Sequence, residues 1–189
     1  MKPVFVAFAF AVAPLIAQAQ SPLDVKGVAL GATRAHVEAG LTHPTCEPGD
    51  PAEGPVTTWC RNSFAVGGDF NTSPDSFAGQ PASIVYHLVG DKVGEITVAG
   101  LRADNYTAVL DALTAKYGAP KITHPSVKTR GGATFENTVA TWTRGTDEIV
   151  YDRYGRTMEV SWLRFTSGAF SQEQKRWQAA RASRAASDM

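Results

Sequence analysis

The chain is poor in the groups that most often carry chemistry. It holds two cysteines and four histidines in 189 residues. Cys46 and Cys60 are too far apart for a Cys-x-x-Cys redox motif, and no histidine stands at a standard ligand offset from a cysteine or another histidine, which excludes the common local zinc motifs. A Gly-x-Ser-x-Gly elbow is missing, and Gly67-Gly68 and Gly131-Gly132 lack the spacing of a phosphate loop. Net charge is missing as well, because 18 Lys+Arg balance 18 Asp+Glu. That balance excludes binding of nucleic acid by bulk electrostatics and an acidic disordered chain. Beyond the first twenty residues no apolar run approaches the length of a membrane span. With 43% hydrophobic and 19% charged residues, what remains is a composition that can fill a globular core.

The start of the chain is different. Lys2 precedes an apolar run from Val4 to Ala13, and Ala17-Gln18-Ala19 offers a small-x-small cleavage signal. Residues 1–19 therefore read as a secretory leader, and the remainder is expected in the periplasm or the medium. Disulfides form and persist there, so Cys46 and Cys60 are expected to pair as a structural staple. The pair closes a loop rich in proline and glycine, Glu47 to Pro55, worth about 3 kcal/mol by loop-closure entropy. A rigid, displayed loop of this kind suits protein recognition.

Periodicity predicts the order of elements. Thr33 caps a short helix with Val37 and Leu41 on one face. Val56 to Arg61 reads as a strand, and Ser83–Val89 and Val93–Ala99 form a hairpin around Gly90-Asp91, with Ile84, Tyr86 and Leu88 on one side. Asp104 to Tyr117 is the clearest helix: Tyr106, Val109, Leu110, Leu113 and Tyr117 make one stripe, and Gly118 and Pro120 end it. Thr123 to Ala133 reads as a polar loop. Strands at Thr138–Arg144, Glu148–Tyr154 and Thr157–Phe165 follow as a meander, with Met158, Val160 and Trp162 on a shared face. A terminal helix begins at Ser171, with Gln174 completing a capping box. The expected fold is α+β: tandem helix-plus-antiparallel-β-meander units over 20–100 and 101–168, and a basic C-terminal helix over 169–189.

One short pattern occurs three times: Thr58-Trp59-Cys60-Arg61, Thr141-Trp142-Thr143-Arg144 and Ser161-Trp162-Leu163-Arg164. In a strand, each Trp and its Arg share a face. Two readings stand side by side. In one, each is a core tryptophan with an arginine snorkelling past it; in the other, an aromatic and cationic surface that binds a partner, since Trp and Arg dominate interface hot spots.

Gly31-Ala32-Thr33 followed by Val37 and Leu41, and the close Tyr117-Gly118-Ala119-Pro120, resemble the helix openings and ends of the small outer-membrane assembly lipoproteins. The chain lacks their Gly-x-Pro after Leu41 and their lipid-attachment cysteine. A helix followed by an antiparallel meander, given twice, is also similar to the secreted β-lactamase-inhibitory proteins. Both resemblances imply a non-catalytic protein-binding module.

Chemistry is sparse. His36, His43, His87 and His124 read as solvated or singly hydrogen-bonded, and Asp147, Glu148, Asp152 and Glu159 as turn or solvent-face carboxylates. No catalytic residue, cofactor or metal is expected. The leading expectation is a non-enzymatic exported protein that binds another protein, as an inhibitor or immunity factor does, through Trp59, Arg61, Trp142, Arg144, Trp162 and Arg164. An accessory of envelope assembly is the alternative, with Lys175, Arg176, Trp177 and Arg181 of the terminal helix touching an acidic partner or making weak peripheral contact with anionic lipid. A small hydrolase whose site is assembled only in space is the third.

Overall fold

The computed structural model describes residues 22–63, 75–129 and 131–187. The expected leader and Gly67-Gly68 lie outside them. In chain order the elements are β1 (Asp24–Val25), β2 (Val28–Ala29), α1 (Arg34–Gly40), β3 (Pro44–Pro48), β4 (Thr58–Asn62), β5 (Ser76–Phe77), β6 (Gln80–Pro81), β7 (Ser83–Val89), β8 (Lys92–Ala99), α2 (Tyr106–Tyr117), β9 (Lys121–Thr123), β10 (Ser126–Lys128), β11 (Thr134–Glu136), β12 (Val139–Arg144), β13 (Asp147–Thr157), β14 (Val160–Thr166) and α3 (Gly168–Ser187). The class is α+β.

Eight strands form one antiparallel sheet in the order β3-β4-β7-β8-β14-β13-β12-β9. The sequence of a helix and then four sheet strands occurs twice, and the two runs meet at β8 and β14. Their pairing sets Leu163 opposite Val98 and Phe165 opposite Ile96, all fully buried. The halves therefore share a single core rather than two. One face of the sheet packs under α1, α2 and the β1–β2 hairpin: Val37 and the stripe Tyr106, Val109, Leu113 and Tyr117 close over Ile84, Tyr86, Leu88, Ile149 and Tyr151. Tyr106 stacks on Tyr151 with ring centroids 4.5 Å apart. The Tyr117 hydroxyl donates to the carbonyl of Asp24 at 2.7 Å, tying α2 to the first hairpin.

Several local expectations hold. The Thr33 hydroxyl accepts from the His36 amide, Gly118 ends α2 at φ +85°, and Ser83–Val89 pairs with Lys92–Ala99. Others do not. β3 went unread because prolines stand at both its ends, a composition tolerated only at a sheet edge, and β3 is the edge. The supposed loop from Thr123 to Ala133 includes the end of β9, the whole of β10 and, just beyond it, β11. Each of these strands is three residues long with a single apolar residue, Ile122, Val127 or Phe135, too short for alternation to stand out from a polar loop. α3 starts three residues early. Ser167, not Ser171, caps it by accepting from the Phe170 amide, and Asp147 accepts from the Gly168 amide. The shared face expected for Met158, Val160 and Trp162 is not the core face. Met158 lies in the turn, and Ser161, Leu163 and Phe165 point into the core, so Trp162 points the other way.

Cys46 and Cys60 are bonded, and they sit directly opposite each other on β3 and β4. The bridge closes a separation of 14 residues. Replacing both cysteines by serine should lower stability by about 3 kcal/mol, the loop-closure value for a ring of this size. Urea unfolding of the oxidised protein and the double variant measures it; equal midpoints would contradict a stabilising role.

Candidate functional site

The helices cover one face of the sheet. On the opposite face the alternation within each strand brings together residues far apart in sequence. Two cross-strand rows run over the four central strands. The first is Trp59, His87, Glu95 and Thr166; the second is Arg61, Val85, Thr97 and Arg164. Trp162 follows on β14, two residues before Arg164 and on the same side. Trp59, Arg61, Ser83, Val85, Thr97, Ala99 and Trp162 line a groove of about 400 Å³. It continues past His87 and Glu95 into a second hollow of about 400 Å³, walled by the stapled loop (Asp50, Glu53, Pro55) and by Phe170 and Gln174 of α3.

Specific contacts hold the walls. The Arg61 guanidinium lies 5.2 Å from the centre of the Trp59 ring. Trp162 lies so close over β13 that a Cβ on Gly155 would collide with it. The irregular stretch of β13 that carries Gly155 is clamped by buried Asn137. Its amide nitrogen donates to Asp152 at 2.6 Å, and its oxygen accepts from the Tyr154 and Thr138 amides. Phe170 seats against Gly94, where a Cβ would lie 2.6 Å from its ring. The Trp177 indole donates to the Pro51 carbonyl at 3.0 Å, so α3 and the stapled loop brace each other.

Two ionisable groups sit in the floor. Nε2 of His87 is 3.2 Å from the Thr97 hydroxyl, and burial pushes the imidazole pKa from 6.5 down to about 4, so the ring is neutral near pH 7. Burial pushes the Glu95 carboxyl up, opposed by Arg164 at 3.8 Å and by the Thr166 hydroxyl, which donates to it at 3.3 Å. The floor thus combines a neutral imidazole with a half-buried carboxyl whose charge burial disfavours and Arg164 favours, between Arg61 and Arg164.

The three Trp-x-Arg repeats divide. Trp59-Arg61 and Trp162-Arg164 converge on the open face. Trp142 and Arg144 do not join them: Trp142 is 4% exposed, opposite buried Ile149, and its indole donates to the Gly118 carbonyl at 2.7 Å. Arg144 lies over the Tyr117 ring and donates to the Tyr117 carbonyl. This pair closes the C-terminus of α2, where a cation also meets the negative end of the helix dipole. Trp142 is thus buried in the fold and half-buried Arg144 covers the end of α2, apart from the other two pairs. On α3, Arg181 stacks on Trp177 and Arg176 pairs with Glu173 at 3.2 Å, while Lys175 is exposed. Trp177 is therefore committed to the stapled loop.

Sequence reads His87 only as a solvated or singly hydrogen-bonded histidine, in keeping with its contact to Thr97, and Glu95 is not among the candidate residues. The signal was present, since both fall on the alternate positions of strands whose other positions are apolar. Asp147, Glu148, Asp152 and Glu159 do not assemble: Asp147 caps α3, Asp152 holds the irregular stretch of β13, Glu148 pairs across from Thr166, and Glu159 lies in the β13–β14 turn. Depressions of about 720 Å³ beside Tyr154 and Met158, and about 570 Å³ beside Lys92 and Phe170, contain neither Trp-x-Arg pair. No family model matches the chain, and no curated protein or solved structure is significantly similar to it.

His87 gives a signed dependence on pH. From pH 6.5 down to about 4 the unfolded chain takes up a proton that folded His87 refuses. Acidification across that window therefore removes stability, on the order of 3 kcal/mol at this one site, and His87→Gln lacks that loss. Urea midpoints for both proteins between pH 7 and 4 should converge or cross on the acid side. Parallel curves would show that His87 titrates normally.

Proposed function

We propose that the protein is a non-catalytic binding module of the exported compartment, which covers the surface of another protein with the open face of its sheet, as an inhibitor or immunity factor does. One observation carries this reading: Trp59-Arg61 and Trp162-Arg164, far apart in sequence, arrive on the face of the sheet that α1 and α2 leave open, on either side of a half-buried floor. Trp and Arg supply the largest energies at interfaces when they surround a pocket that excludes water. The scaffold under them is rigid: a fully buried ladder, a disulfide at one wall and a clamped strand at the other. Preorganisation of that kind reduces the ordering cost of association. The disulfide supports an oxidising compartment, and no helix among the described residues is long and apolar enough to cross a membrane. Action is by occlusion: the bound partner loses access to whatever its covered surface serves.

The immobilised protein, exposed to an envelope extract of its source organism, should retain a partner that Trp59→Ala/Trp162→Ala binds roughly 30-fold more weakly, the loss expected for about 2 kcal/mol at hot-spot tryptophans. Unchanged affinity in the double variant, with its melting temperature preserved, would remove the open face as the binding surface.

A further inference from the structure

The groove is not electrically uniform, and its asymmetry says what fits it. In the second cross-strand row, Val85 and Thr97 lie between Arg61 on one side and Arg164 on the other. Four backbones spaced about 4.8 Å apart set these two arginines about 14 Å from each other at their Cα atoms, near enough for both long side chains to reach a group seated over the floor. Arg164 keeps 45% of its side chain exposed, and its contact with Glu95 is long at 3.8 Å, which leaves its guanidinium able to take a second carboxylate. The other end of the groove is acidic, because the stapled loop places Asp50 and Glu53 on its wall. Between these ends Ser83, Val85, Thr97 and Ala99 are short, while Trp59 and Trp162 rise on either side. The trough therefore accepts one bulky apolar side chain, flanked by the Arg61 guanidinium over the Trp59 ring and by Arg164 beside Glu95, with Asp50 and Glu53 on the loop wall.

We infer that the occupant of this groove is an extended protein segment that places an apolar anchor over Val85 and Thr97, and a carboxylate two residues away against Arg61 and Arg164. The inference rests on the open-face reading and adds the chemistry of the partner. Two residues is the spacing at which side chains of an extended strand return to the same face. A bidentate arginine–carboxylate contact in a partly desolvated groove is stronger and more directional than a surface ion pair. Asp50 and Glu53 repel a uniformly acidic ligand, so a nucleic acid backbone is a poor occupant. The concave floor likewise suits a side chain better than a flat lipid surface.

The four tryptophans supply the readout. Two indoles line the groove, while Trp142 donates to Gly118 inside the fold and Trp177 to Pro51 at the surface. The probe is an acetylated, amidated pentapeptide with phenylalanine and aspartate two positions apart and threonine elsewhere, titrated into nitrogen-15-labelled protein. A second peptide has lysine in place of the aspartate. The aspartate peptide should shift the Trp59 and Trp162 indole signals saturably and leave Trp142 in place, and the lysine peptide should bind about tenfold more weakly or worse. Arg61→Glu/Arg164→Glu should reverse that preference. Should it fail to fold, as judged by the Trp142 signal, Arg61→Gln/Arg164→Gln should abolish the preference. Equal affinity for both peptides at Trp59 and Trp162 would overturn the charge assignment while leaving the open-face reading intact. Shifts confined to Trp177, or no shift with either peptide, would overturn the inference outright, and the tryptophan double variant in the capture experiment then decides the broader reading separately.

Discussion

The ladder between β8 and β14 is the interaction on which the molecule depends. Each half of the chain makes four sheet strands and one or two covering elements, and neither half alone can bury its inner edge. Pairing Val98 with Leu163 and Ile96 with Phe165 removes two strand edges at once and merges the inward-facing residues into one core. It also fixes the register of everything outward. With a side-chain period of two, the ladder that sends Leu163 and Phe165 inward must send Trp162 and Arg164 outward, beside Thr97 and Glu95. The groove is thus a by-product of core packing, and a one-residue slip would bury its arginines.

The outer face is a surface that the core does not need. Helices protect one side of the sheet, and on the other, among the described residues, the first turns of α3 and the stapled loop approach. These two hold each other through Trp177 and Pro51, and α3 is seated through Phe170 at Gly94, the extra residue of the β7–β8 register shift. Glycine is required there because the aromatic ring occupies the space a Cβ would need. Beyond Trp177 α3 runs on fully exposed, so its basic residues Arg181 and Arg184 belong to the surface and not to the core. The neutral His87 and the raised Glu95 carboxyl are two consequences of the same partial enclosure: each is far enough from water to disfavour its charge, and neither is deep enough to be lost from the groove.

Much of the covered face was legible from sequence. The stripe from Tyr106 to Tyr117, the alternation Ile84-Tyr86-Leu88 and the Thr33 cap are local signals, and local signals survive folding when tertiary contacts reinforce them. The strands that periodicity does not predict are short or peripheral: β1, β2, β5 and β6 have two residues each, β9, β10 and β11 three, and β3 is the proline-bounded edge of the large sheet. The Trp-x-Arg repeat was visible, but its meaning was not. Three copies look alike along the chain, and a strand pattern alone says only that each Trp and Arg share a face.

Composition and short-range pattern by themselves determined the α+β class, the Thr33 cap of α1 and the Gly118 stop of α2, the pairing of the only two cysteines and the two-residue periodicity that groups each tryptophan with its arginine. Tertiary structure alone decided which face each pair takes. Trp142 turns inward because β12 pairs with β13 in the register that sets it opposite Ile149 and under the end of α2, whereas Trp59 and Trp162 turn outward because their neighbours Cys60 and Leu163 are the residues that complete the core. The reason is that face selection in a sheet is a global outcome. It follows from which alternation buries more apolar area against the helices, and β14, with Val160 and Trp162 on one side and Leu163 and Phe165 on the other, offers apolar groups to both until the rest of the fold chooses.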